Sequence, residues 1–144
     1  MSGALQGKCL CGSVEISATL NEEQMDACHC NMCRTWSGGP FLAFACGSNV
    51  SFSNDDSLSV YKSSEWAERV FCKNCGTALA WRLQAGGEYH VSSQLFAEAD
   101  DYPLKMQVFI DEKPDNYSFS QETATMTAAQ IFALFADQEN GAEA

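Results

Sequence analysis

The 144-residue chain carries 19 acidic and 8 basic side chains, a formal charge of −11. That charge excludes a nucleic-acid backbone as partner and equally an anionic membrane surface, since both require basic surface. Apolar residues make up 46% of the chain, enough for a hydrophobic core in one domain over residues 1–144, with its body over about 5–120.

The charge is uneven. Residues 1–82 hold six basic and eight acidic side chains, and residues 83–144 hold two and eleven. Lys8, Arg34, Arg69, Lys73 and Arg82 each lie near a cysteine, so a small anion is acceptable locally; those cations would equally serve to offset thiolate charge. Met1 to Lys8 has neither the basic nor the apolar region of a signal peptide, and no apolar run approaches the ~18 residues of a membrane span. The expectation is a cytoplasmic protein. There, eight cysteines at short paired spacings predict metal ligands rather than disulfides.

In chain order, Gly7-Lys8-Cys9-Leu10-Cys11-Gly12 comes first. An extended C-x-C points both thiols to one side, and Gly12 allows a tight turn behind them. Val14, Ile16, Ala18 and Leu20 alternate with polar residues as a half-buried strand. Asn21 to Asp26 reads as a surface connection. Ala27 to Arg34 reads as a loop carrying Cys28-His29-Cys30-Asn31-Met32-Cys33, followed by a turn over Trp36-Ser37-Gly38-Gly39-Pro40. Short strands are expected at Phe41 to Ala45, at Val50 and Phe52, and at Leu58 to Tyr61, with turns at Cys46 to Asn49 and Ser53 to Ser57 between them. Arg69-Val70-Phe71 leads into Cys72-Lys73-Asn74-Cys75-Gly76, and Thr77 to Arg82 continues as a strand. Strand, C-x-x-C, glycine and strand is the pattern of a zinc knuckle, with Gly76 supplying the positive φ. Gly86-Gly87 marks a hairpin returning through Tyr89 and Val91. Phe96 to Pro103 is an acidic loop, and Met106, Val108 and Ile110 alternate in a further strand. Thr127 and Gln130 form a capping box for a helix over about 127–137, with Met126 and Ile131 as a hydrophobic staple and Gln138 to Ala144 as a frayed tail.

The cysteines therefore fall as C-x-C, C-x-C-x-x-C and C-x-x-C, with Cys46 alone. Two separated pairs close a four-cysteine site, which assigns Cys9, Cys11, Cys72 and Cys75 to a structural zinc. Cys28, Cys30 and Cys33 form a second site. Its fourth ligand is open between Cys46, His29, His90 and an exchangeable water or substrate, and spacing alone does not choose. Arg34 is a candidate contact for an anionic substrate. Trp36 and Phe41 are pocket-wall or core residues, and Ser37 has no base-like neighbour in sequence.

These motifs resemble the glutathione-dependent formaldehyde-activating family, which also includes centromere protein V. The likeness is carried by Gly7 to Gly12, by Cys28 to Phe41 and by Arg69 to Thr77. It implies a mainly β fold, a β-tent of antiparallel sheets with zinc-ribbon-like knuckles, to which this chain adds a C-terminal helix of its own. It implies two zincs per chain: a structural one on Cys9, Cys11, Cys72 and Cys75, and a catalytic one on Cys28, Cys30 and Cys33. Cys46 has no counterpart in the family motif, which favours an open second site. The implied activity is a carbon–sulfur lyase of the S-(hydroxymethyl)glutathione synthase type, with a small thiol such as glutathione as partner and a homodimer allowed for. The chain departs from the family pattern over Ser93 to Pro103 and at Tyr117, where substrate selection could lie. The competing reading is a non-catalytic, zinc-stabilised binding protein docking through its C-terminal helix or an exposed β face. A third is a thiol-based redox or zinc sensor.

Overall fold

The computed structural model describes residues 3–143, with side chains through residue 136. In chain order its elements are β1 (Leu5–Lys8), β2 (Glu15–Ala18), β3 (Met25–Cys28), α1 (Asn31–Ser37), β4 (Phe41–Gly47), β5 (Val50–Phe52), β6 (Leu58–Lys62), β7 (Ala67–Cys72), β8 (Ala78–Leu83), β9 (Tyr89–Ser92), β10 (Leu104–Val108), β11 (Ala124–Met126) and α2 (Ala128–Glu143). The fold is mainly β, as the strand periodicity predicts. Among the described residues no helix is long and apolar enough to cross a membrane.

The chain divides into two compact units. The first comprises Met1–Met25 and Leu42–Pro103. In it β1, β2 and β5 form an antiparallel sheet with β2 central. Four further strands, β6 to β9, continue from β4 in the order β4-β9-β8-β7-β6. The β8–β9 hairpin turns on Gly86 and Gly87, both at positive φ (88° and 87°), which non-glycine side chains resist. Its core gathers Leu5, Ile16, Ala18, Leu20, Phe44, Cys46, Ala80, Val91, Phe96 and Ala99. The alternation from Val14 to Leu20 puts all four apolar side chains inside. A second cluster, Val14, Val70 and Leu79, packs with Cys9 and Cys72.

The second unit comprises Asp26–Phe41 and Leu104–Ala144. Here β10 lies between β3 and β11, with β11 parallel to β10. A short turn at Ile110–Glu112 serves both helices: Asp111 Oδ1 accepts from Ala128 N of α2 (2.9 Å), and Glu112 Oε1 accepts from Asn31 N of α1 (3.0 Å). Helices leave their first N–H groups unsatisfied, and these carboxylates fill that role. Phe109 enters the turn at φ 55° and meets Phe132 edge-on, ring centroids 5.8 Å apart. The capping box forms as predicted, with Thr127 N donating to Gln130 Oε1 (2.7 Å) and Gln130 N to Thr127 Oγ1 (3.3 Å).

Several expectations are corrected. Cys9 and Cys11 lie in a turn after β1, closed by Gly12 N to Cys9 O (3.1 Å), so the turn and not strand alternation brings their thiols together. The expected loop over Ala27 to Arg34 is the end of β3 followed by α1, and Met25 and Asp26 of the expected surface connection already belong to β3. The first turn of α1 carries a cysteine as its cap, outside the usual Ser, Thr, Asp and Asn, and Gly38 ends it in the left-handed region (φ 81°). Phe96 to Pro103 is largely a 3-10 turn at Ala97–Asp101, and Ile110 leaves the strand for the capping turn. β4 extends through Gly47, into the expected turn after Ala45. β11 was not expected, and α2 continues to Glu143, through all of the expected tail but Ala144, which lies outside the described residues.

Candidate metal centres

The first unit brings Cys9, Cys11, Cys72 and Cys75 together, their sulfurs all within 4.8 Å of one another. Cys9 Sγ to Cys11 Sγ is 3.7 Å and Cys11 Sγ to Cys72 Sγ is 3.8 Å. A tetrahedral zinc with Zn–S bonds of about 2.3 Å has sulfur–sulfur edges of about 3.8 Å, so these four thiols fit that ion.

The two halves of this site are built alike. Gly12 N donates to Cys9 O (3.1 Å) and Gly76 N to Cys72 O (2.7 Å), with the glycines at φ 79° and 81°. Cys9 N donates to Val14 O and Cys72 N to Thr77 O, both at 3.0 Å. In each half the hydroxyl two residues after the second cysteine lies on its sulfur: Ser13 Oγ on Cys11 Sγ (3.0 Å), Thr77 Oγ1 on Cys75 Sγ (3.1 Å). Ser13 Oγ also lies 3.4 Å from Cys72 Sγ and accepts from Asn74 Nδ2 (3.2 Å), which leaves its proton for sulfur. Leu10 N donates to Thr77 Oγ1 (3.1 Å), tying the halves together.

These donors favour thiolate. The Thr77 hydroxyl, with backbone N–H groups of Thr77 and Cys11, lowers Cys75 to about 5. Burial acts upward on Cys9, but Val14 N–H at 3.3 Å and the neighbouring Cys11, Cys72 and Ser13 outweigh it and lower that thiol. The Ser13 contacts pull Cys11 down, yet burial and the Cys9 and Cys75 sulfurs leave it raised. Like charges this close cannot all ionise without a cation, and a divalent ion reverses that logic.

The second unit brings Cys28, Cys30 and Cys33 within 4.8 Å of one another, all three buried. Cys28 ends β3. Cys30 caps α1, its sulfur accepting from Cys33 N at 3.3 Å, and Cys33 lies one turn into the helix. The Cys30 and Cys33 sulfurs, followed by burial, push the Cys28 thiol far up, so here too a cation is needed for full ionisation. Among the described residues no fourth Cys, His, Asp or Glu joins this group.

The fourth-ligand candidates each have another place. His29 is fully buried with both ring nitrogens engaged: Nε2 on Gln107 Oε1 (2.7 Å) and Nδ1 on Tyr117 Oη (2.8 Å). Gln107 Nε2 donates to Thr123 Oγ1 (2.9 Å), which leaves its carbonyl to accept from His29 Nε2–H, and Tyr117 O–H then donates to Nδ1. Burial holds this imidazole below its usual range, in the neutral form that pattern requires. Cys46 lies in the core of the first unit, its thiol raised to about 12 by burial. His90 stacks on Trp81, centroids 4.1 Å apart, beside Glu88.

Arg34 Nε donates to His29 O (2.8 Å), and Trp36 meets Phe41 at a centroid distance of 5.4 Å. The Ser37 hydroxyl lies on the Cys33 and Gly39 carbonyls, a helix-end role. Reading from sequence missed Ser13, Thr77 and Gln107. The first two had a signal, since each follows directly on a Cys-Gly pair.

The family model for the glutathione-dependent formaldehyde-activating enzyme matches residues 4–112. An uncharacterised lyase of Schizosaccharomyces pombe is 38% identical over 127 residues, 88% of this chain and 93% of that protein. A Podospora anserina protein, provisionally named a glutathione-dependent formaldehyde-activating enzyme, is 31% identical over 99 residues, 65% of this chain and 46% of that protein. A crystal structure of a Rhodobacter sphaeroides protein shares the fold, with a TM-score of 0.57 at 22% identity over 70% of this chain and all of that one. On the extent of the family match and the identity to the yeast lyase, the chain belongs to the glutathione-dependent formaldehyde-activating enzyme family.

Proposed function

We propose that this protein holds two zinc ions and makes or breaks a carbon–sulfur bond between a small thiol, of the glutathione type, and a small aldehyde. The observation that carries the reading is the contrast between the two cysteine groups, one with four members and one with three. Four protein ligands close a structural site, whereas catalytic zinc keeps three and leaves a position for a ligand. Cys9, Cys11, Cys72 and Cys75 hold the structural ion. Cys28, Cys30 and Cys33 hold the other.

Zinc at the second site supplies a thiol made acidic enough to be a thiolate at neutral pH. In the net reaction the thiol sulfur bonds to the aldehyde carbon, the carbonyl π bond opens onto oxygen, and the thiol proton ends on that oxygen as the hydroxymethyl adduct. The chain's own part is positioning. Cys30 is fixed by the Cys33 N–H, and His29 is locked between Gln107 and Tyr117, which holds the backbone between Cys28 and Cys30 in one conformation. Three thiolates already leave the ion poorly electrophilic, so orientation of two reactants, not Lewis acidity, supplies most of the acceleration. Arg34 is the contact for an anionic end of the substrate. The lyase name of the yeast relative accords with this reaction class.

The test is native mass spectrometry of the zinc-loaded protein with and without glutathione, alongside magnetisation-exchange NMR of the glutathione–formaldehyde adduct. Two zincs, a glutathione complex lost in Cys30→Ser, and adduct exchange faster than the uncatalysed rate support the reading. Two zincs with neither complex nor faster exchange would leave a zinc-stabilised binding protein.

A further inference from the structure

The eight cysteines differ in their access to solvent. Cys11 is exposed, Cys75 is half-buried, and the other six are buried, Cys28, Cys30 and Cys33 among them. Leu10, beside Cys11, is 89% exposed. Cβ atoms built on Gly12 and Gly76, which follow Cys11 and Cys75, would meet nothing within 4 Å. Space is therefore open behind the second cysteine of each knuckle. The group that closes a metal with four sulfurs is thus the accessible one, whereas every member of the three-cysteine group is buried.

Oxidation of a cysteine follows its thiolate character and its exposure. A sulfur held by zinc keeps thiolate character, so that property does not separate the seven candidate ligands. Exposure does, and it singles out Cys11. A second sulfur stands ready beside it, from the other knuckle. Cys72 Sγ lies 3.8 Å from Cys11 Sγ, and Ser13 Oγ contacts both. A disulfide needs ~2.04 Å between sulfurs, so this pair must close by about 1.8 Å, on a surface turn with room around it. Cys9 Sγ is as near, at 3.7 Å, but one residue separates it from Cys11, too short a link for relaxed disulfide geometry.

We propose that Cys11 is a peroxide-reactive thiolate with Cys72 as its resolving partner, which makes the four-cysteine site an oxidative modification site that gives up its zinc reversibly. This rests on the four-cysteine zinc of the reading above and not on the thiol–aldehyde chemistry. The Cys11 sulfur attacks one oxygen of hydrogen peroxide. The O–O bond breaks, hydroxide leaves, and Cys11 becomes a sulfenic acid, oxidised by two electrons. The Cys72 thiolate then bonds to that sulfur and displaces a second hydroxide. Both hydroxides take protons from solvent, so one peroxide becomes two waters and two thiolates become one disulfide. Cys9 and Cys75 alone are too few to hold a tetrahedral zinc. A reducing dithiol reopens the bridge by exchange and restores the four ligands. A redox function thereby belongs to the closed site and not to the three-cysteine loop.

The test uses the zinc-loaded wild-type protein, treated with one molar equivalent of hydrogen peroxide with and without dimedone, which traps sulfenic acids. Native mass spectrometry counts zinc before and after, and peptide mass mapping of the alkylated protein locates each modified cysteine. The expected result is loss of one of two zincs, dimedone on Cys11, a Cys11–Cys72 linked peptide when dimedone is left out, and recovery of the second zinc after dithiothreitol and added zinc. Oxidation starting at Cys28, Cys30, Cys33 or Cys75 would overturn the proposal, as would a bridge that excludes Cys11 or Cys72. Retention of both zincs with every thiol intact, while the peroxide persists, would overturn it and leave the metal reading standing. Absence of zinc from the four-cysteine site before peroxide is added would overturn both.

Discussion

Gly7 precedes the first cysteine pair, and the structure gives it a role other than turning. An ideal Cβ on Gly7 would lie 2.6 Å from the Leu95 carbonyl oxygen and 3.0 Å from Phe96 Cδ1. Ordinary contact begins at about 3.4 Å, so Gly7→Ala must part β1 from the Leu95–Phe96 backbone by about 0.8 Å. That breaks the Gly7–Phe96 bridge. Overpacking of this kind costs about 1–3 kcal/mol. Alanine returns about 0.4–1 kcal/mol by restricting the unfolded chain. Because the clash is with backbone at 2.6 Å, the steric cost lies in the upper part of its range, about 2–3 kcal/mol, leaving a net loss of about 1–2.6 kcal/mol. At a urea m-value of about 2 kcal/mol/M the unfolding midpoint of the zinc-loaded protein should fall by about 0.5–1.3 M. Gly3→Ala is the control, since nothing lies within 4 Å of its Cβ and its φ is not positive, and its midpoint should hold or rise slightly. A Gly7→Ala midpoint at or above wild type would refute the close-approach argument.

Ser13→Ala removes a hydroxyl from the Cys11 and Cys72 sulfurs, so zinc transfer to a colorimetric chelator should quicken by about tenfold, the scale of one hydrogen bond to a charged group; an unchanged rate would deny Ser13 that role. Cys46→Ser should leave two zincs per chain by metal analysis yet lower the thermal midpoint, because a hydroxyl replaces a thiol in an apolar core at a cost of about 1–3 kcal/mol. With its thiol raised to about 12, Cys46 should also escape iodoacetamide at pH 8 in the native protein, as read by peptide mass mapping. Gln107→Leu strands the buried His29 Nε2–H and should cost about 1–3 kcal/mol in denaturant titration, whereas Gln107→Glu, which keeps an acceptor, should cost less.

The cysteine groups were legible because metal ligands impose spacing on sequence. Paired thiols with a glycine behind them can be read without knowing what surrounds them. The strands were legible where one face is buried, as from Val14 to Leu20. What escaped was set by partners distant in sequence. α1 hides because its cap is a sulfur and its seven residues are too few to show a helical period. The His29 environment joins residues 78 and 88 positions apart, so no local pattern announces Gln107 or Tyr117. The fourth-ligand question could not be answered from spacing, because burial of Cys46 and the double engagement of His29 are tertiary facts.

The turn at Ile110–Glu112 has a consequence for how this protein can be altered. Adjacent carboxylates on one short turn hold the starts of both helices. A change made at the C-terminal helix, whether a truncation, a fused tag or an inherited substitution, therefore has a short mechanical route to the start of α1, which carries Cys30 and Cys33. A variant library confined to the cysteine neighbourhood would miss Asp111 and Glu112, which hold the two helix starts.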